Sequence, residues 1–175
     1  LIIAYGLFGF GYVITATFIS TMVRATLEIQ HLESVIWLVV GISGIPSVVF
    51  WNWVGERWGI ANSFAVACLV EAVGVAMSVL VSSALGIVVS AVLLGGTFMG
   101  ITAVGFVYAR NLSTGNPNRS LAFMTAAFGL GQMVGPTFAG YTYGFGNSFL
   151  VPSIAAALAL AIAAGLVVSR GRAQT

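Results

Sequence analysis

Charge is what this chain lacks most. Its 175 residues include six basic and four acidic side chains, 6% of the total, where a soluble domain carries about 25%. There is no lysine and no aspartate, and only one histidine and one cysteine. Each shortage removes a class of function. Without lysine there is no Gly-rich phosphate loop of the kind that ends in Lys. A lone Cys68 inside an apolar run gives no disulfide framework and no Cys/His metal set. The formal net charge of +2 is too small and too dispersed for a nucleic-acid partner.

What is present is apolar. The chain is 59% hydrophobic, with a mean hydropathy of +1.08. The charges gather between long apolar runs, at Arg24, Glu28 and Glu33, at Glu56 and Arg57, at Arg110 and Arg119, and at Arg170 and Arg172. A bilayer core of about 30 Å needs roughly 20 apolar helical residues. Six such helices fit, over 1–23, 34–54, 60–81, 85–110, 121–143 and 148–169. The runs are continuous rather than alternating, which excludes a transmembrane barrel. The fold class is therefore all-α and polytopic: one six-helix unit over 1–170 and a cytoplasmic tail at 171–175. Leu1 opens directly into an apolar run with no initiator methionine, so the expectation is a piece of a longer protein.

Arginine counting sets the expected orientation. The gaps after spans two and four and the C-terminal tail hold Arg57, Arg110, Arg119, Arg170 and Arg172, and the other gaps hold Arg24 alone. Both chain ends are then cytoplasmic. A weak internal repeat is also visible. Span two carries Gly41, Gly44 and Pro46 mid-helix; span five carries Gly131, Gly135 and Pro136. These are the middle members of two three-helix units, and an odd number of spans inverts the second unit. Inverted triplets with Gly/Pro-interrupted helices point to secondary transporters.

Several stretches resemble the C-terminal half of a major facilitator superfamily transporter, and more narrowly its YbfB/YjiJ-type bacterial branch. They are Tyr5-Gly6-Leu7-Phe8-Gly9-Phe10-Gly11-Tyr12 with Thr17-Phe18, and Trp37 through Gly41 to Pro46-Ser47. Gly95-Gly96-Thr97-Phe98-Met99-Gly100 follows, then Gly129-Leu130-Gly131-Gln132 leading to Gly135-Pro136. Gly55-Glu56-Arg57-Trp58-Gly59 resembles the degenerate second copy of the superfamily's cytoplasmic loop motif, without its Asp and trailing basic cluster. The resemblance implies helices seven to twelve of a twelve-helix protein. Spans one and four would line the cavity, two and five would face a missing N-terminal half, and three and six would lie outside.

Candidate site residues follow from the residues themselves. Glu71 sits in the middle of span three, where a carboxylate in lipid is costly. Its helical face carries Phe64, Ala67, Cys68, Gly74, Val75 and Ser78, and the opposite face bulky aliphatics. It is either a proton-coupling group or a neutral carboxyl hydrogen-bonded across a helix interface. The second reading is favoured, because the resemblance puts this helix outside the cavity. Tyr12 and Tyr5 share a stripe of span one and offer a ring and a hydroxyl to an amphipathic solute, although Tyr5 also suits an interface belt. Thr125 and Gln132 form a similar stripe on span five, for substrate or for inter-half contact. Arg110 ends a span and is expected to snorkel.

Two motifs mislead. Gly41-Ile42-Ser43-Gly44 matches the nucleophile motif of rhomboid-type intramembrane proteases. That chemistry needs a histidine base within reach, and His31 lies in a loop before the same span, so no enzyme is expected. Thr142-Tyr143-Gly144-Phe145-Gly146 resembles a potassium-channel filter, which needs a re-entrant loop with its own pore helix. A six-helix ion channel and a non-transporting scaffold remain the alternatives. The leading expectation is a secondary transporter of a small-molecule substrate in the bacterial inner membrane, with a lipid bilayer and the N-terminal half as partners and no cofactor.

Overall fold

In the computed structural model, residues 1–25, 27–81, 83–113, 115–146 and 148–172 are described. The side chains of Glu28, Arg170 and Arg172, and the tail beyond 172, lie outside the described residues. Among the described residues seven α-helices carry the fold: α1 (Ile2–Ala25), α2 (Ile36–Gly44), α3 (Ser47–Trp58), α4 (Ile60–Leu80), α5 (Ala84–Leu112), α6 (Pro117–Gly146) and α7 (Leu150–Arg172). A short 3-10 segment, Leu27–Leu32, joins α1 to α2. Taking α2 and α3 as one broken span, six helices are long and apolar enough to cross a membrane. The protein is an all-helical, multi-pass membrane protein.

Several helices run past the expected ends. Span two continues to Trp58, so Gly55, Glu56 and Arg57 form the last turn of α3 rather than a loop. Polar side chains at a helix end reach the interface without unwinding it. The connection to α4 is Gly59 alone, at φ +90°, a conformation that glycine adopts without strain. Its N–H donates to Gly55 O at 2.9 Å, and the Ser63 N–H donates to Gly59 O at 3.0 Å. Proline shapes the two middle spans differently. Pro46, lacking an N–H, separates α2 from α3. Pro136 sits inside α6, which stays helical on both sides, as membrane helices allow when neighbours re-satisfy the freed carbonyl.

The packing has an internal two-fold pattern. The α1–α6 pair is matched by α5 with α2 and α3, α7–α1 by α4–α5, and α6–α7 by α3–α4; α4–α7 maps onto itself. Exchanging the two helix triplets thus reproduces the principal helix pairs. Small residues make the close crossings. A side chain at Gly131 would run into the backbone of Gly6, Gly9 and Phe10, and one at Gly135 would meet Val13 and the Phe10 carbonyl at 3.0 Å. On the matching interface, Gly95 lies against the Val40 carbonyl and Gly100 against the Trp51 ring. These contacts fix α1 and α5 as the inner walls of the bundle.

The face of α4 carrying Phe64, Ala67, Cys68, Glu71, Gly74, Val75 and Ser78 is buried, whereas Val66, Leu69, Val73 and Leu80 are exposed. The wheel drawn from sequence gives the same division. The middle spans are the least buried: 22% of the most apolar stretch of span two, and 11% of α6. Gly41, Gly129, Gly140 and Gly144 on them have no neighbour within 4 Å of a built Cβ.

Candidate functional site

Aromatic residues from α1, α5 and α6 converge where these helices meet. Tyr12 stacks on Phe98 with ring centroids 4.3 Å apart and an interplanar angle of 12°. Phe128 of α6 lies 6.2 Å from Tyr12, 5.4 Å from Phe8 and 5.3 Å from Tyr5. Phe106 is 5.8 Å from Tyr5. Such clusters add about 0.5–1.5 kcal/mol per pair beyond area burial, so they order the wall they build. Beside the Tyr12–Phe98 pair a groove of about 440 Å³ opens, lined by Trp37, Val40, Gly44, Leu94 and Met99 among others. Its glycines leave room, and none of its lining residues carries a charge. It therefore suits an apolar or aromatic moiety. A larger hollow of about 480 Å³ lies around Leu1, Leu112, Ser113 and Met124. It shares no residue with the aromatic cluster.

The structure separates the two tyrosines. Tyr12 is half-buried and lines the groove. Tyr5 is 2% exposed, enclosed by Phe8, Phe106 and Phe128, with its hydroxyl directed at Thr102. On α6, Gln132 is half-buried and Thr125 is exposed. The Thr125 hydroxyl donates to its own helix at Leu121 O, 2.9 Å away. Neither residue lines the groove.

Sequence reasoning passed over the residues that hold α5 in place. The Ser47 hydroxyl donates to Gly96 O at 2.9 Å and accepts from the Gly100 N–H at 2.9 Å. It thus stands between two groups that an undisturbed helix pairs with each other. Trp51 Nε1 donates to the same Gly96 carbonyl at 2.8 Å. The signal was partial: a Pro46 break followed by a hydroxyl, facing a Gly-xxx-Gly pair.

Glu71 of α4 packs against the same α5 segment. It is fully buried, and neither carboxyl oxygen has a hydrogen-bond partner among the described residues. Thr97 faces it, but the Thr97 hydroxyl is committed to Leu93 O at 2.6 Å. Thr97 is the cross-helix group that faces the carboxyl; elsewhere at this α4–α5 crossing Gly74 packs on the Leu93 side chain and brings no donor.

The motif at the end of α3 is built around its glycines. Gly55 is buried against Ile60, with Glu56 and Arg57 exposed and the Arg57 guanidinium 4.7 Å from the Trp53 ring centroid. Arg110, at the end of α5, is exposed. Thr142–Gly146 is regular helix at the end of α6 rather than a re-entrant loop, so the filter-like stretch does not form a filter. No group of three or more His, Cys, Asp or Glu residues able to hold a metal ion occurs among the described residues.

Comparison with known proteins agrees with this architecture. Searches of curated proteins and of solved structures returned no match. A family model described as "Uncharacterised MFS-type transporter YbfB" matches residues 1–168. Six membrane-length helices and a match over nearly the whole chain place this protein in the YbfB-type family of major facilitator superfamily transporters.

Proposed function

We propose that this chain is one half of a secondary active transporter that moves a small organic solute by alternating access, with Tyr12 and Phe98 in the wall of the solute path. The observation that carries the reading is the placement of the groove. It opens between α1, α2 and α5, beside middle spans that are little buried and rich in glycines without neighbours. A second six-helix unit laid on α2, α3 and α6 covers those faces and closes the groove into a cavity between two halves. Rocking of the halves then exposes the cavity to each side in turn. The arginine bias supports cytoplasmic chain ends, and a bacterial inner membrane as the site of action.

The test is reconstitution. The 175-residue chain in liposomes should show no saturable, gradient-driven uptake in a solute screen. The same chain joined to a second six-helix half should show it. Saturable uptake by this chain alone, or a steady ion current, would refute the half-transporter reading. Cysteine labelling fixes orientation: Ser83→Cys should react from outside and Asn116→Cys from inside.

A further inference from the structure

We propose that Glu71 is a proton-binding site whose occupancy is communicated to the aromatic groove through residues 96–100 of α5. This rests on the transporter reading above and names its driving ion.

The first observation is the setting of the carboxyl. Glu71 is the one charged side chain buried inside the bundle among the described residues, and both its oxygens lack partners. The groups around it are known from every packed helix. On α5 the facing residue is Thr97. On α1, Tyr12 lies within electrostatic range, as does Cys68 on α4 itself. The described part of α7 contributes no titratable side chain short of its final turn, and the charges of α3 are exposed at its end. Among the described residues no cationic side chain faces it to hold an ionised carboxylate in place. A metal ion is also a poor occupant, since one carboxyl and one hydroxyl fall far short of the roughly six oxygens that hard cations take. A proton needs only the carboxyl.

The second observation is what stands between this carboxyl and the groove. Thr97 is turned toward Glu71, and Phe98, the next residue, is stacked on Tyr12. The same turn of α5 is gripped by Ser47 and Trp51 at Gly96 and Gly100. A helical turn whose carbonyl and N–H both bond a neighbouring hydroxyl is a place where bending concentrates. When the Glu71 O–H bond breaks, the proton leaves to water and the electron pair stays on the carboxylate. The charge then requires a donor or hydration. The Thr97 hydroxyl supplies the donor only by leaving Leu93 O, and that rearrangement moves the turn that carries Phe98. Reprotonation from the opposite side restores the closed packing.

The chain contains its own reporter. Cys68 is the only cysteine, one turn from Glu71 on the same face and fully buried. The experiment uses the 175-residue chain in liposomes. N-ethylmaleimide labelling of Cys68 and infrared difference spectra are recorded on the acid and alkaline sides of neutrality, for the natural protein and for Glu71→Gln. In the natural protein a carboxylic-acid band should disappear on alkalinisation. Cys68 labelling should rise by about tenfold or more beyond the rise in Glu71→Gln, even though the neighbouring carboxylate charge disfavours the reactive thiolate, because the cost of a buried charge opens the packing around it. Equal pH dependence of labelling in both proteins, or a band that Glu71→Gln retains, overturns the proposal. If Glu71→Gln does not fold, Glu71→Asp replaces it. The pH-dependent band should then persist at an altered frequency, and an unaltered band overturns the proposal. The transport reading fails separately. Uptake driven by another gradient in the joined protein removes the proton role and leaves the transporter. A titrating Glu71 in a protein that transports nothing removes the transporter and leaves the proton site.

Discussion

Replacing Gly131 by alanine tests the packing of the inner wall most directly. A methyl group there meets only backbone: the Gly6 carbonyl, the Phe10 nitrogen at 2.7 Å and the Gly9 carbonyl carbon at 3.1 Å. No flexible side chain is available to move aside, so α6 must shift away from α1. That shift loosens Gly135 against Val13 and Phe128 against Tyr5 and Phe8. Overpacking of this kind costs about 1–3 kcal/mol, a roughly 5- to 150-fold loss in the folded population. Gly140→Ala is the internal control. It lies on the same helix with nothing within 4 Å of the new methyl, and alanine favours helix by up to about 1 kcal/mol over glycine. Unfolding of the isolated chain in detergent, followed by circular dichroism against added SDS, reads both. Gly131→Ala should unfold earlier than the natural protein, and Gly140→Ala at the same point or later. Equal destabilisation by both would show that α6 is not seated on α1 as described. In the joined protein the order should change, with Gly140→Ala impairing uptake because its face then meets the other half.

Tyr12→Phe should weaken apparent solute affinity about two- to twelve-fold, the worth of one hydrogen bond of about 0.5–1.5 kcal/mol. Tyr12→Ala should do more, because it also removes the Phe98 stack; an unchanged uptake KM in both would take Tyr12 out of the solute path. Ser47→Ala should lower stability by about 0.6 kcal/mol and no more than about 1.7, since Gly96 and Gly100 stand at the spacing of a helical backbone pair and satisfy each other. A larger loss in the same SDS titration would mean that the hydroxyl holds more than this turn. Arg24 pairs with Glu33, Nε lying 3.1 Å from Oε1, and this hydrogen bond holds the Glu33 carboxyl below its ordinary range. A lowered folded value means stabilisation that is present above the unfolded carboxylate range and lost as pH falls through the folded value. Hydrogen exchange over residues 27–35, corrected for intrinsic rates, should therefore speed up on acidification, and Glu33→Gln should abolish that pH dependence. The pair is exposed to solvent, so the effect should stay local and shrink in high salt.

How much of this was legible depended on which physical signal each feature leaves in a sequence. Six spans were plain, because lipid requires continuous apolar length and tolerates few charges. The buried face of α4 was legible because Glu71, Cys68 and Ser78 mark it against Leu69 and Val73. On most other helices every face is apolar, so periodicity does not distinguish core from lipid. Tyr5 and Tyr12 lie seven residues apart on one stripe, yet one is enclosed and the other lines a groove. The difference comes from Phe106 and Phe128, on helices that sequence alone does not bring alongside. The hold of Ser47 and Trp51 on Gly96 and Gly100 joins residues about 45–53 positions apart, and no local pattern encodes that. The setting of Glu71 was equally hidden, since a sequence shows that a carboxyl is present but not what faces it.

The two-fold exchange of helix triplets has a consequence for how the protein is made. In chain order α1 emerges before α2 to α5, but its main partners are α6 and α7, which leave the ribosome after all of these. Likewise α2 packs chiefly on α5 rather than on α1. In a nascent chain halted after Leu80, α1 to α4 are present while their principal docking surfaces in this unit have not yet been synthesised. Long-range closure of this kind is slow and leaves intermediates exposed. The early helices must wait in the bilayer, open to proteases and to wrong partners, until the second triplet arrives. Substitutions in α6 or α7 should therefore lower the yield of the whole protein, even where the residues changed touch no solute.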